Sequence, residues 1–299
     1  MNLLNRAVVA VLPILPRSFV ALFSNRYIAG EHLEDAVETI RNLNRQNILA
    51  TIDLLGENIT QQEEATRDKE MWFRILDTID REKLNANISI KLTQLGLKLD
   101  KAFCTENVRE IVAYADQYHN FVRIDMEDSS CTDDTLDILY RVRKEHANVG
   151  AVIQAYLKRS EADILELARQ GVNVRICKGI YKEPPEIAYK DRDAIRQNYL
   201  RLLDIMFEHN AYVGIATHDR FLIEKALERI QVNGIPQDQY EFQMLLGVGE
   251  EYRLELVRMG HRLRVYVPFG EQWFAYSLRR MKENPKVAGY VIKNLFKKI

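Results

Sequence analysis

Residues 149–177 read VGAVIQAYLKRSEADILELARQGVNVRIC. Val149–Gln154 is a short apolar run of the kind a buried strand needs. Ser160–Arg169 then carries apolar residues at helical spacing, with Ser160 as candidate N-cap, Asp163 at the capping-box position and Gly171 just past the end. Val172–Cys177 is a second β-rich run. Strand, helix and strand in so short a stretch suit two parallel strands joined by a crossover helix.

The same alternation extends along most of the chain. Further β-rich runs are Asn47–Asp53, Asn87–Leu92, Phe121–Met126, Ala211–Ala216, Tyr240–Leu245 and Arg262–Val267. Amphipathic stretches between them include Gln61–Ile79, Thr132–His146, Asp191–His209 and Asp219–Gln231. Thr132–His146 opens on Thr-Asp-Asp, a candidate cap, and ends in basic residues that suit a helix C-terminus. Eight strand–helix units predict an α/β fold, a (β/α)8 TIM-type barrel over 46–299, with an added N-terminal helical arm over 1–45. The rival is an open doubly wound sheet, whose G-x-G-x-x-G fingerprint after the first strand is missing.

Composition narrows the function classes. The chain has 299 residues with 42 basic and 43 acidic side chains, a net charge of −1, which argues against a nucleic-acid partner held by bulk positive charge. Its 13 glycines and 7 prolines are too few for a disordered or fibrous chain. Cys104, Cys131 and Cys177 are widely spaced and odd in number, which suits a reducing, cytoplasmic interior rather than a disulfide framework or zinc site. The apolar run Ala7–Leu15 is interrupted by Pro13 and falls short of the ~20 residues that span a bilayer. It reads as a packing or peripheral arm of the fold, one that could also support docking at the inner face of a membrane.

A barrel carries its chemistry at the C-terminal ends of its strands. Those ends hold Asp53, Lys91, Asp125 with Glu127, Gln154, Arg175 with Lys178, Thr217 with His218, Gln243 and Tyr266. Period-two alternation would put Asp125 and Glu127 on one face of their strand. Glu127 and Glu241 could pair as glycosidase carboxylates, but sugar-stacking aromatics are not evident at the strand ends. Lys91 or Lys178 could form a Schiff base, though nothing singles out either. Asp53, Asp125 and His218 could hold a metal, but nearby Lys91, Arg175 and Lys178 oppose a cation, and no metal site is expected. Lys91, Arg175, Lys178, Arg279 and Arg280 come from separate segments. If they converge, they call for a ligand bearing several negative groups, such as a pyrophosphate plus a carboxylate.

At these residues the chain resembles the monofunctional proline dehydrogenases, a family of FAD-dependent barrel enzymes. The matching strings are SIKLTQLG (Ser89–Gly96), RIDMEDS (Arg123–Ser129), QAYLKRS (Gln154–Ser160), RICKGIYKE (Arg175–Glu183), ATHD (Ala216–Asp219), EFQMLLGV (Glu241–Val248) and RVYVPFGEQWFAYSLRRMKEN (Arg264–Asn284). The resemblance implies oxidation of L-proline to Δ1-pyrroline-5-carboxylate by hydride transfer to FAD, with electrons passed to a membrane quinone. Pyrroline-5-carboxylate dehydrogenase would act downstream. It implies Asp125 and Arg175 as catalytic residues, Arg175 lying near the flavin N5 edge. Lys91, Arg279 and Arg280 would bind the substrate carboxylate, and Tyr181, Leu245 and Tyr266 would flank its ring. Met126, Gln154, Arg175, Lys178, Gly179, Ile180, Thr217, His218 and Glu283 would contact FAD. Glu57, in DLLGE, would pair with Arg279 as a gate.

The chain departs from that pattern where Ile180 replaces a commoner alanine and Lys182 stands where a tryptophan is usual. Tyr266 favours proline over hydroxyproline, because relatives that take the 4-hydroxylated ring carry a smaller residue there. The alternatives are a hydroxyproline dehydrogenase or a catalytically inactive barrel that only binds.

Overall fold

The computed structural model describes residues 20, 21, 24, 26–56, 59–274 and 276–278. The apolar run Ala7–Leu15 and the predicted site residues Glu57, Arg279, Arg280 and Glu283 lie outside the described residues. The described chain begins with helix α1 (Leu33–Asn44), then β1 (Leu49–Leu54), α2 (Gln62–Arg81), β2 (Ala86–Ile90), α3 (Lys101–Gln117), β3 (Val122–Ile124) and α4 (Thr132–Arg143). It continues through β4 (Val149–Gln154), α5 (Ser160–Arg169), β5 (Val174–Cys177), α6 (Arg192–Glu208), β6 (Val213–Ala216), α7 (Arg220–Val232), β7 (Tyr240–Leu245), α8 (Glu250–Arg258) and β8 (Leu263–Phe269).

The strands close into a parallel barrel in sequence order, β8 pairing back onto β1 from Leu49↔Arg264 to Leu54↔Phe269. Period-two patterning determines which side chains face in. Ile52, Ile88, Ile90, Ile124, Ile176, Ile215 and Val265 are fully buried in the hydrophobic core that the helices cover. Their neighbours Asp53, Ser89, Arg123, Arg175, Gln243 and Arg264 are polar, and several bond across the lumen between strands that are not adjacent. Arg175 of β5 meets Gln243 of β7 at 2.5 Å, and Arg264 of β8 meets Asn87 of β2 at 3.1 Å.

The helices supply the other half of the core. Trp72, Ile75, Leu76 and Ile79 form the buried stripe of α2, each such side chain contributing about 1.5–3 kcal/mol on burial. Helix α1 buries Ala36, Val37, Ile40 and Leu43 in the same core as β1 and β8. The chain's own turn chemistry differs from the sequence reading in two places. Ser160 is the first residue of α5 and not its cap; its Oγ donates to the Gln154 carbonyl at 2.5 Å. Thr132 likewise opens α4, because a 3-10 turn at Ser129–Cys131, capped by Asp128, precedes it. Helices α3 and α8 complete the alternation, α3 burying Cys104, Val108, Ile111, Val112 and Ala115 at helical spacing. Among the described residues, no helix is long and apolar enough to cross a membrane.

Candidate active site

A cavity of about 490 Å3 opens at the C-terminal mouth of the barrel. It brings together Lys91, Asp125, Met126, Gln154, Arg175, Lys178, Gly179, Ile180, Tyr181, Thr217, His218, Leu245 and Tyr266, all the predicted site residues among those described. The period-two register that turns β-branched residues toward the helices also turns these polar ends into one space.

The floor is a charge-balanced cluster. Lys91 Nζ lies 2.5 Å from Asp53 Oδ1 and 3.6 Å from Asp125 Oδ2. Asp125 accepts from Ser89 Oγ at 2.6 Å, Arg175 Nη1 at 2.8 Å and the Tyr266 hydroxyl at 2.6 Å. The Arg175 guanidinium also stands 5.3 Å from the Tyr266 ring centroid. Within this cluster two cations face two carboxylates, so Lys91 and Arg175 already have partners inside the protein. Asp53, read from the sequence as a strand-end residue, is here the partner of Lys91, and Ser89, two residues before Lys91, is the contact that reading missed. The period-two spacing of Ser89 and Lys91 was the available signal.

The two carboxyls respond oppositely to burial. For Asp125, burial pushes the pKa up, but Lys91 and Arg175, with the Ser89 and Tyr266 hydrogen bonds, hold it below its ordinary value. For Asp53, burial outweighs the attraction of Lys91 and leaves the pKa raised. The Tyr266 hydroxyl is pushed well above its usual value by burial and by both carboxylates.

Lys178 marks the rim. Its Nζ is 3.3 Å from Asp219, which is also gripped by Arg196 at 2.8 and 2.9 Å and approached by Arg192 at 3.6 Å. Three cations around one carboxylate leave this rim positive; Arg196 chiefly, with Lys178, holds the Asp219 pKa at about 2 against the effect of burial. Asp219 stood in the quoted ATHD string, whereas Arg192 and Arg196 come from α6 and carried no sequence signal. On the same side, Leu245 N–H donates to His218 Nε2 at 2.9 Å, so in this geometry that nitrogen is unprotonated.

Other expected pairings separate. Strand β3 ends at Ile124, so Glu127 does not share a face with Asp125. Its carboxylate accepts from the Thr93 backbone at 3.0 Å and the Thr93 hydroxyl at 2.5 Å. Glu241 lies within β7, held by Arg264 at 2.6 Å. The supposed glycosidase pair is thus committed to two separate structural partners.

Two features of the wall read as built for a bound group. Gln154 Nε2 donates to the Met126 and Glu127 carbonyls at 3.1 and 2.7 Å, while its Oε1 is buried with no hydrogen-bond partner. An acceptor fixed this way costs free energy unless a donor meets it. Gly179 has φ +102, and a Cβ there would fall 2.1 Å from the Tyr156 ring, so the backbone passes where no side chain fits.

Comparison with known proteins settles the family. The family described as "Proline dehydrogenase" matches residues 36–293. The chain belongs to the proline dehydrogenase family. It is 38% identical over 277 residues to "Proline dehydrogenase 1" of Bacillus subtilis, covering 93% of this chain and 92% of that protein. It is 34% identical over 279 residues to the "Proline dehydrogenase" of Deinococcus radiodurans, covering 92% and 90%. Among solved structures, the proline utilization A protein of Bdellovibrio bacteriovorus, inactivated by N-propargylglycine, superposes with a TM-score of 0.81 at 25% identity. That match covers 87% of this chain and 33% of the Bdellovibrio chain. This proline dehydrogenase family member therefore spans nearly the full length of its shorter relatives and about a third of the longer protein.

Proposed function

We propose that this chain is an FAD-dependent dehydrogenase that oxidises L-proline to Δ1-pyrroline-5-carboxylate and passes the electrons to a membrane quinone. Gln154 Oε1 carries the cofactor assignment. It is a buried acceptor without a donor in the cavity wall, and a flavin ring edge offers the N–H it lacks. Arg175, Lys178, Gly179 and the Thr217–His218 pair would hold the rest of the cofactor, with Met126, Ile180 and Glu283 as further contacts. When bound, FAD supplies a two-electron acceptor for the hydride.

The chain's own residues do the remaining work. Lys91, with Arg279 and Arg280, would fix the proline carboxylate at one end of a small rigid ring. Tyr181, Leu245 and Tyr266 would bracket that ring and exclude water, which removes an entropic barrier to reaction. Tyr266 is pinned by its hydrogen bond to Asp125 and cannot withdraw to admit a 4-hydroxyl, which favours proline over hydroxyproline. The ring nitrogen must be unprotonated before its neighbouring carbon loses hydride, and surrounding cations favour that form. Asp125 already accepts three hydrogen bonds and is held ionised, so it is a poor acceptor for that proton, which leaves to solvent. Its role is to anchor Arg175, Tyr266 and Lys91. Glu57 would gate the mouth by pairing with Arg279. The oxidised product would pass to a pyrroline-5-carboxylate dehydrogenase.

The test is spectroscopic. The purified protein carries a flavin absorption band that L-proline bleaches under anaerobic conditions. A colourless protein that takes up no FAD overturns the cofactor reading. A flavin-loaded protein unaffected by proline, or bleached only by hydroxyproline, overturns the substrate.

A further inference from the structure

Below Arg175 the barrel lumen holds a second polar chain that this reading does not use. Arg175 Nε donates to Gln243 Oε1 at 2.5 Å. Gln243 Nε2 in turn donates to Glu241 Oε1 at 2.7 Å, and the same oxygen accepts from Arg264 Nε at 2.6 Å. Arg264 Nη1 is tied to the Ala50 carbonyl at 2.6 Å and to Asn87 Oδ1 at 3.1 Å. Four strands, β2, β8, β7 and β5, are thereby linked side chain to side chain. Glu241 and Gln243 are only 2% and 6% exposed, so water does not compete for these bonds.

A terminal amide is symmetric in shape and can present either end. A carboxylate can only accept, so an ionised Glu241 obliges Gln243 to turn its NH2 downward and its oxygen up to Arg175. Arg264 counters the cost of burial and keeps the Glu241 carboxyl below its ordinary value, so it remains an acceptor at neutral pH. Space is reserved for the amide, whichever way round it sits. A Cβ on Gly214 of β6 would lie 2.5 Å from Gln243 Nε2.

We propose that Gln243 is a positioning residue for Arg175, and that Glu241, braced by Arg264, dictates which end of its amide Arg175 meets. The inference rests on the reading above that Arg175 faces the flavin. Reversing the amide would set a donor against the Arg175 Nε–H and push the guanidinium off its seat between Asp125 and the Tyr266 ring. Preorganised positive charge favours the reduced flavin, so displacing it disfavours reduction.

The experiment measures the midpoint potential of the bound flavin and the melting temperature in holoenzyme variants. Arg175→Met is the reference for losing the charge outright. Gln243→Met removes the acceptor at nearly constant shape and is expected to lower the reduction equilibrium about tenfold, or ~30 mV for a two-electron couple. Glu241→Met removes the acceptor that fixes the amide and shifts the potential in the same direction, and it shifts nothing further in the Gln243→Met background. Gly214→Ala displaces the amide without touching either charged residue, and it decides the matter with Gln243→Met if Glu241→Met does not fold. Lower melting temperatures with an unchanged potential, while Arg175→Met lowers it, overturn the positioning role and leave the Arg175 reading intact. An unchanged potential in Arg175→Met overturns both.

Discussion

Replacing Asp53 by Asn tests whether the floor of the site is a self-neutralised cluster. The substitution keeps the shape and removes one of two carboxylates facing Lys91. At an effective dielectric of about 20, unit charges at the observed 2.5 Å attract by ~7 kcal/mol, and the Lys91–Asp125 contact at 3.6 Å contributes ~5 kcal/mol. These gross terms are largely offset by desolvation, and removing one member of a buried pair costs about 3–5 kcal/mol. Two observations put Asp53→Asn at the lower end. Asp125 remains within reach of Lys91, and the raised pKa of Asp53 shows that burial already costs this carboxylate more than Lys91 returns. A loss of about 3 kcal/mol corresponds to a fall of about 6–12 °C in melting temperature at this chain size. Thermal unfolding by circular dichroism, with flavin content held constant, gives the answer. Lys91→Met combined with Asp53→Leu should recover most of the loss, because apolar replacement of a buried pair is near neutral, and should still abolish proline binding. A single Asp53→Asn variant that melts within ~2 °C of the parent refutes the buried-pair reasoning.

Further outcomes follow from the same geometry. Gly179→Ala places a Cβ 2.1 Å from the Tyr156 ring at a φ of +102. The flavin-to-protein ratio should drop sharply, whereas Gly171→Ala, at φ +62 with nothing within 4 Å of its Cβ, should cost only ~1 kcal/mol and leave flavin content unchanged. Asp219 has a folded pKa of about 2, below the ordinary carboxylate value, so its ion pairs contribute fully above pH ~4 and are lost as pH falls toward 2. Asp219→Asn should lower stability at neutral pH and flatten this acid limb of a stability–pH curve; an unchanged slope contradicts the assignment. Tyr266→Ser should raise the preference for trans-4-hydroxyproline over proline at least tenfold, ~1.4 kcal/mol, as a ratio of kcat/KM values.

The strand–helix alternation was legible because it follows from local pattern. Val149–Gln154, Ser160–Arg169 and Tyr240–Leu245 carry their period in adjacent residues, and the structure forms elements at those bounds. Short β3 was read three residues too long, through to Met126, because nothing local in FVRIDM marks where pairing stops. Ser160 had the right residue type for a cap, but the Gln154 carbonyl, six residues back, claimed its hydroxyl. The cavity-lining residues were legible for a different reason, since a barrel puts every strand end at one mouth and their polarity is visible one strand at a time.

Sequence by itself therefore determined the closed strand–helix repeat, the family, and the list of polar residues at the mouth, all encoded in short-range pattern and ordered motifs. Only the tertiary structure decided the charge state of that mouth. Lys91 is neutralised by Asp53, 38 positions away, and Arg175 by Asp125, 50 positions away. Counting cations along a chain cannot reveal this, because Coulomb energy depends on distances of a few ångströms across the lumen and on the burial that strips water from both partners.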